Sequence, residues 1–109
     1  MKPDMVRGHL DLLILAAVDQ GAAHGYAIAD RLRLRTEGTL DLAEGSLYPA
    51  LYRLEDAGML KSDWTEANGR RRRVYRLTRK GRAALISKAR EWESFSRAVS
   101  RIVTQVSPR

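Results

Sequence analysis

The sequence contains no cysteine, which excludes disulfides, thiolate metal sites and cysteine nucleophiles. Its two histidines, His9 and His24, have no second histidine or cysteine at ligand spacing, so no metal or other cofactor is expected. Long apolar runs are missing too. The stretch Leu12–Val18 is far too short to span a bilayer and is bracketed by Asp11 and Asp19. Asp4 sits where a secretory signal would be basic, so the expectation is a cytoplasmic protein with no membrane partner. Aromatic residues make up only 6% of the chain and form no evident platform for splayed RNA bases. Catalytic constellations are also lacking. Ser46 lies in Glu44-Gly45-Ser46-Leu47 rather than a nucleophile elbow, and the carboxylates are scattered over polar faces. No enzyme is expected.

Acid is scarce in one place. Residues 70–109 hold thirteen basic side chains and two acidic ones, a net of +11, whereas residues 1–43 carry −1 and residues 44–69 carry −3. The whole excess of +7 therefore lies in the last third of the chain. A polyanionic partner there is one reading and a merely soluble basic surface is the other.

Residues 1–6 read as a short tail. From Arg7 to Asp19 the apolar positions Leu10, Leu13, Ile14, Ala17 and Val18 follow helical spacing. Gln20–Gly25 breaks the pattern, with His24 shaping the turn into a second helix over Gly25–Leu34. There Tyr26, Ala29 and Leu32 are the inward positions, while Arg31, Arg33 and Arg35 spread over the surface for solvation and an occasional phosphate contact. Thr36–Ala43 is a connector with a short extended piece at Thr39–Leu42. A third helix, beginning near Gly45 or Ser46, aligns Leu47, Leu51 and Leu54 on one face and stops at Gly58. Pro49 falls in its first turn. The outer face carries Pro49, Tyr52 and Arg53, flanked by Ser46 and Tyr48. Such a face suits a DNA major groove.

Met59–Thr65 reads as a strand, Asn68-Gly69 as a tight hairpin turn, and Arg70–Leu77 as the return strand with Tyr75 and Leu77 facing in. Arg70, Arg71, Arg72 and Arg73 repel one another on such a hairpin, and a phosphate backbone supplies the missing counter-charge. Two of the four face inward, toward the domain near Glu66. Thr78 is an N-cap for a last helix reaching Val106. Along it Leu85, Ala89, Trp92, Ser96, Val99, Val103 and Val106 recur at alternating spacings of four and three, a heptad seam broadened by Ile86, Phe95 and Ile102. A small domain has little surface to cover that stripe, so a homodimer is expected. The fold class is mainly α with a small β-hairpin, α+β: a winged helix-turn-helix over residues 1–78 and a dimerisation helix over residues 79–109.

These pieces also resemble a known family. Leu10–Leu15, His24-Gly25-Tyr26, Gly45–Glu55, Gly58-Met59-Leu60, Gly69–Thr78 and Lys80-Gly81-Arg82 stand in the order and spacing of the PadR family of bacterial transcriptional regulators. The resemblance implies a dimeric repressor that binds an inverted-repeat operator in double-stranded DNA. The DNA-binding residues are then Ser46, Tyr48, Pro49, Tyr52 and Arg53 on the third helix and Asn68, Gly69 and Arg70–Arg73 on the wing. It implies a dimer formed by the last helix together with the first. Some relatives bind a flat apolar or aromatic effector at the dimer centre. Here Trp92, Phe95 and Val99 either line such a pocket or fill the dimer core, and core filling is the plainer reading. The rival reading for the whole chain is a protein–protein adaptor, which would not need four arginines on its wing.

Overall fold

The computed structural model describes the backbone of residues 3–106 and the side chains of residues 9–106. The elements run α1 (Pro3–Asp19), β1 (Ala23–His24), α2 (Gly25–Arg35), α3 (Glu44–Asp56), β2 (Leu60–Ala67), β3 (Arg70–Leu77) and α4 (Arg79–Val103). Three helices and a three-stranded antiparallel sheet of order β1-β3-β2 make a winged helix-turn-helix, from which α4 runs on.

The core forms around α1. Leu10, Ile14, Ala17 and Val18 are buried, and Leu15 joins them with no exposed surface. This helix touches α2, α3, α4 and β3, which is why its apolar stripe is broader than one face. It begins earlier than the sequence suggests: residues 3–6 are helical, and residues 1–2 of the expected tail lie outside the described residues. The end of α1 and the turn after it find a donor in Arg31, whose Nη1 donates to Ala17 O at 3.0 Å and to Gly21 O at 2.6 Å. Arg33 pairs with Asp30 at 2.7 Å. Arg31 is therefore a tie between α2 and α1 rather than a solvating charge.

On α2 the core face belongs to Ile28 and Leu32. Tyr26, expected inward, is 68% exposed, because it lies about 200° round the helix from Ile28. Ala29 is half-buried. The connector is held by Thr36, whose Oγ1 donates to Leu32 O at 2.7 Å and accepts from Leu40 N at 3.0 Å, and Leu40 is buried. The extended piece expected at Thr39–Leu42 is irregular coil, with no partner strand.

Leu47, Leu51 and Leu54 of α3 are at most 2% exposed, and Ala50 completes their stripe. The helix starts at Glu44, so Pro49 falls in the second turn rather than the first. Its missing N–H leaves the exposed Gly45 carbonyl without an intrahelical donor. The far end closes as a Schellman motif. Gly58 takes φ +77°, Met59 N donates to Leu54 O and Gly58 N to Glu55 O, both at 2.9 Å. Leu51→Ala should cost about 2–5 kcal/mol of stability in urea denaturation, because the side chain is wholly buried and its neighbours can only partly collapse onto the gap.

The turn between β2 and β3 places Asn68 at φ +53° and Gly69 at φ +75°, the two left-handed positions of a type I′ turn. It fixes the register Ala67↔Arg70, Glu66↔Arg71, Thr65↔Arg72 and Trp64↔Arg73. β1 is the element that periodicity missed. Ala23 pairs with Tyr75 and His24 with Val74, and two residues are too few to show any period. Tyr75 is buried and Leu77 half-buried, as expected of inward positions. α4 opens on Thr78, whose Oγ1 accepts from Gly81 N at 3.0 Å, and Arg82 ties it to Asp19 of α1 at 2.6 Å. It ends at Val103, so Val106 lies beyond the helix.

Candidate nucleic-acid interface

A groove of about 690 Å³ runs between α3 and the hairpin. Tyr48 and Tyr52 form one wall, Arg70–Arg73 and Trp64 the other, and His24, Gly25, Tyr26 and Tyr75 the floor and far edge. Each part has a local cause. The leucines turn one side of α3 inward, which leaves Tyr52 half exposed and Ser46 and Pro49 open to solvent. Tyr48 packs on the backbone of Gly25: a Cβ there would sit 2.9 Å from Tyr48 Cε1, so the glycine lets this ring lie against the start of α2. Tyr48 and Tyr52 face each other with ring centroids 6.4 Å apart. Burial pushes the Tyr75 phenol up, so it meets the groove as a neutral hydroxyl.

The four arginines are not equivalent. Strand alternation puts Arg71 and Arg73 on the α3 side of the sheet and Arg70 and Arg72 on the other. Arg73 is taken up internally. Its Nη2 donates to Glu55 Oε1 at 3.0 Å and its Nε to Ser62 Oγ at 2.7 Å, while Ser62 Oγ donates to Glu55 Oε2 at 2.5 Å. This triad latches the hairpin onto α3 and pairs the Glu55 carboxylate with a cation. The inward partner is thus Glu55 on α3, not Glu66, which stands opposite Arg71 in the register. Arg71 is carried on the face of Trp64, its guanidinium carbon 4.9 Å from the ring centroid. Arg72 reaches His24 Nε2 at 2.8 Å. Arg70, Arg71 and Arg72 are exposed and form no ion pair among the described residues.

Arg53, expected beside Tyr52, does not line the groove: it is ion-paired with Asp11 on α1. Asn68 and Gly69 stand exposed at the hairpin tip. Tyr26, Trp64 and His24 belong to the surface and were not singled out for it from the sequence. Counting back from a two-residue Asn-Gly turn places Trp64 opposite Arg73, so that signal was present. For His24 and Tyr26 the signal was only their place beside a hairpin that had not yet been given its third strand.

The last helix splits along its length. Leu85 packs against the chain's own core and Ala89 is half-buried beside α1, so these two seam positions are partly covered within one chain. From Trp92 onward the seam is open: Trp92, Phe95, Val99, Ile102, Val103 and Val106 are all exposed, while Ser96 is half-buried. His9 meets Trp92 edge-on at 4.9 Å between centroids. Beside this pair lies a largely apolar cavity of about 350 Å³ lined by Leu12, Leu13, Leu40, Ala89 and Glu93 as well. Phe95 borders a second, smaller hollow with Trp92, and Val99 borders neither.

Among the described residues there is no cluster of metal-binding side chains and no helix long and apolar enough to cross a membrane.

Residues 14–87 match the model of the transcriptional regulator PadR-like family. A transcriptional regulator of Mycobacterium tuberculosis is 48% identical over 58 residues, covering 53% of this chain and 54% of its own. An uncharacterized protein of Lysinibacillus sphaericus is 31% identical over 84% of this chain and 85% of its own. Among solved structures, a transcriptional regulator from Clostridium thermocellum superposes with a TM-score of 0.85 at 33% identity, covering 94% of this chain and 98% of that one. A PadR family transcription regulator from Clostridium difficile gives 0.76 at 30% identity, covering 87% and 98%.

Proposed function

Since this chain belongs to the PadR-like family of transcriptional regulators, we propose that it is a cytoplasmic repressor that binds double-stranded DNA as a homodimer on an inverted-repeat operator. The observation that carries this reading is the groove. It joins hydroxyl-bearing aromatics on α3 to three exposed arginines, its lining carries no carboxylate among the described residues, and Glu55 of α3 is already paired with Arg73. In this reading α3 enters the major groove with Ser46, Tyr48, Pro49 and Tyr52, and the wing, Asn68 to Arg72, follows the phosphate backbone. A protein–protein adaptor would instead show an apolar patch on the outer face of α3. That face carries Ser46, Tyr52 and Arg53.

The first test is selection of bound duplexes from a random pool. An inverted repeat should be recovered; no enrichment would defeat the reading. With the recovered operator, Tyr52→Ala should weaken operator binding roughly tenfold while changing random-duplex binding far less, because base contacts specify and phosphate contacts position. Equal losses on both duplexes would remove Tyr52 from sequence readout.

Residues 79–109 serve as the dimerisation segment in this reading. Its support is the apolar face that α4 leaves open from Trp92 to Val103. Val99→Asp places a charge in the middle of that face, and sedimentation at micromolar concentration should then find a monomer where the parent is a dimer. A monomeric parent would refute the assignment. Trp92 and Phe95 act mainly as core of that dimer. The apolar cavity beside His9 and Trp92 favours a second role, in which a flat aromatic effector lodges there and shifts the spacing of the two reading helices.

A further inference from the structure

His24 sits at the junction of β1 and α2, and both of its ring nitrogens meet donors. Nδ1 accepts from Ala27 N at 3.2 Å, the N-cap bond of α2. Nε2 lies 2.8 Å from Nη1 of Arg72, and a guanidinium is donor only and always protonated. Partial burial and the charges of Arg72 and Arg31 hold the imidazole below its usual range, so the ring is neutral at neutral pH and has one lone pair for two donors. If Nδ1 keeps the cap, Nε2 carries the hydrogen and points it at another N–H. If Nε2 accepts from Arg72, the cap is lost and Nδ1–H faces the Ala27 amide. The other neighbours offer no relief. Tyr26 stacks alongside at 6.5 Å between centroids, Val74 is the paired residue on β3, and Arg31 is a further cation.

A single anionic oxygen between the two side chains satisfies every donor at once. We propose that His24 Nε2–H and the Arg72 guanidinium together clasp one phosphodiester oxygen of the DNA backbone, while Nδ1 stays on the α2 cap. The assignment rests on the DNA-binding reading above and adds a contact within the same groove, between the hairpin and the start of α2 and across from the α3 wall. It gives the histidine two duties that one tautomer performs together: capping α2 and holding phosphate. Without DNA the two donors compete for the ring. With DNA the Nε2–H tautomer is fixed.

Two measurements test it. In the unmodified protein, nitrogen-15 NMR of the His24 ring should show its tautomer populations move to Nε2–H when a random-sequence duplex is added. An unchanged ring signal in a protein that demonstrably binds the duplex would overturn the proposal. Second, His24→Asn supplies a good N-cap oxygen but no group at the Nε2 position. It should keep its circular dichroism and melting profile and lose roughly tenfold in affinity for operator and random duplex alike, the scale of a hydrogen bond to a charged group. In the Arg72→Ala background the same change should cost much less, because the clasp is already open. A folded His24→Asn protein with parental affinity, or equal losses in both backgrounds, overturns the clasp while leaving the regulator reading intact. A parent that binds no duplex at all defeats that reading, and the clasp with it.

Discussion

Replacing Arg70, Arg71, Arg72 and Arg73 together by alanine is expected to flatten the salt dependence of DNA binding by roughly 3–4 units of log K per log salt. Each phosphate neutralised by a cationic side chain releases condensed counterions and contributes about 0.9 to that slope. Arg73 contributes little, because Glu55 and Ser62 already hold it. Two of the remaining three reaching phosphates on each wing of a dimer gives four contacts, hence the magnitude. Between about 50 and 200 mM salt the parent should lose roughly a hundredfold more affinity than the variant. Arg73→Ala alone should leave the slope nearly unchanged and still weaken operator binding, since it frees the wing from α3. Operator preference should survive the fourfold change, because Tyr48 and Tyr52 are untouched. The measurement is operator affinity at several salt concentrations for parent, Arg73→Ala and the fourfold variant. If the fourfold variant keeps the parental slope, the arginines do not touch DNA and the adaptor reading moves ahead.

The contrast between Arg73 and its neighbours shows where the sequence stops informing. Periodicity marked Leu47, Leu51, Leu54 and Tyr75 as inward because burial follows helical and strand repeats, and the Asn-Gly turn fixed the register of the hairpin. Those are local rules. That Arg73 turns to Glu55, that Arg53 turns to Asp11 on α1, and that Arg31 serves the end of α1 are tertiary facts. A run of like charges looks uniform in the sequence, and only the packing of α3 against β2 separates the paired arginine from the free ones. The same holds for β1. Ala23 and His24 become a strand only because β3 presents an unpaired edge beside them. Tyr26 differs for a simpler reason: Ile28 and Leu32 set the buried face of this short helix, and the Tyr26 ring lies on the other side. On α4 the seam was legible as a stripe. How much of it the chain covers itself was not: Leu85 is partly buried against the domain's own core.

Gly81→Ala is expected to destabilise the protein by about 3–4 kcal/mol, through overpacking at a closely packed site. A Cβ at Gly81 would fall 2.0 Å from the carbonyl oxygen of Met59, 2.9 Å from its carbonyl carbon and 3.0 Å from Leu77 Cδ1. The oxygen cannot step aside. It accepts from Thr78 N at 3.1 Å, and Thr78 Oγ1, whose one proton also faces Gly58 O at 2.6 Å, lies 3.0 Å away. The same corner holds Lys80, whose Nζ donates to Ala57 O at 2.7 Å at the end of α3. To admit the methyl, the first turn of α4 must lift off, which opens the Thr78 cap, worth about 1 kcal/mol by itself. The rest of the loss comes from backbone displacement at a packed site. The natural control is Gly45→Ala, where a Cβ meets nothing within 4 Å; alanine is the better helix former, so stability should hold or rise slightly. Urea denaturation of the three proteins at one protomer concentration decides the matter, because the stability of the proposed dimer would depend on concentration. A loss under about 1 kcal/mol for Gly81→Ala would mean that α4 is not seated on the Met59 carbonyl. This corner joins the end of α3 to the start of the helix that carries the open seam, so under the proposed function it would set the angle at which two copies present α3 to one duplex.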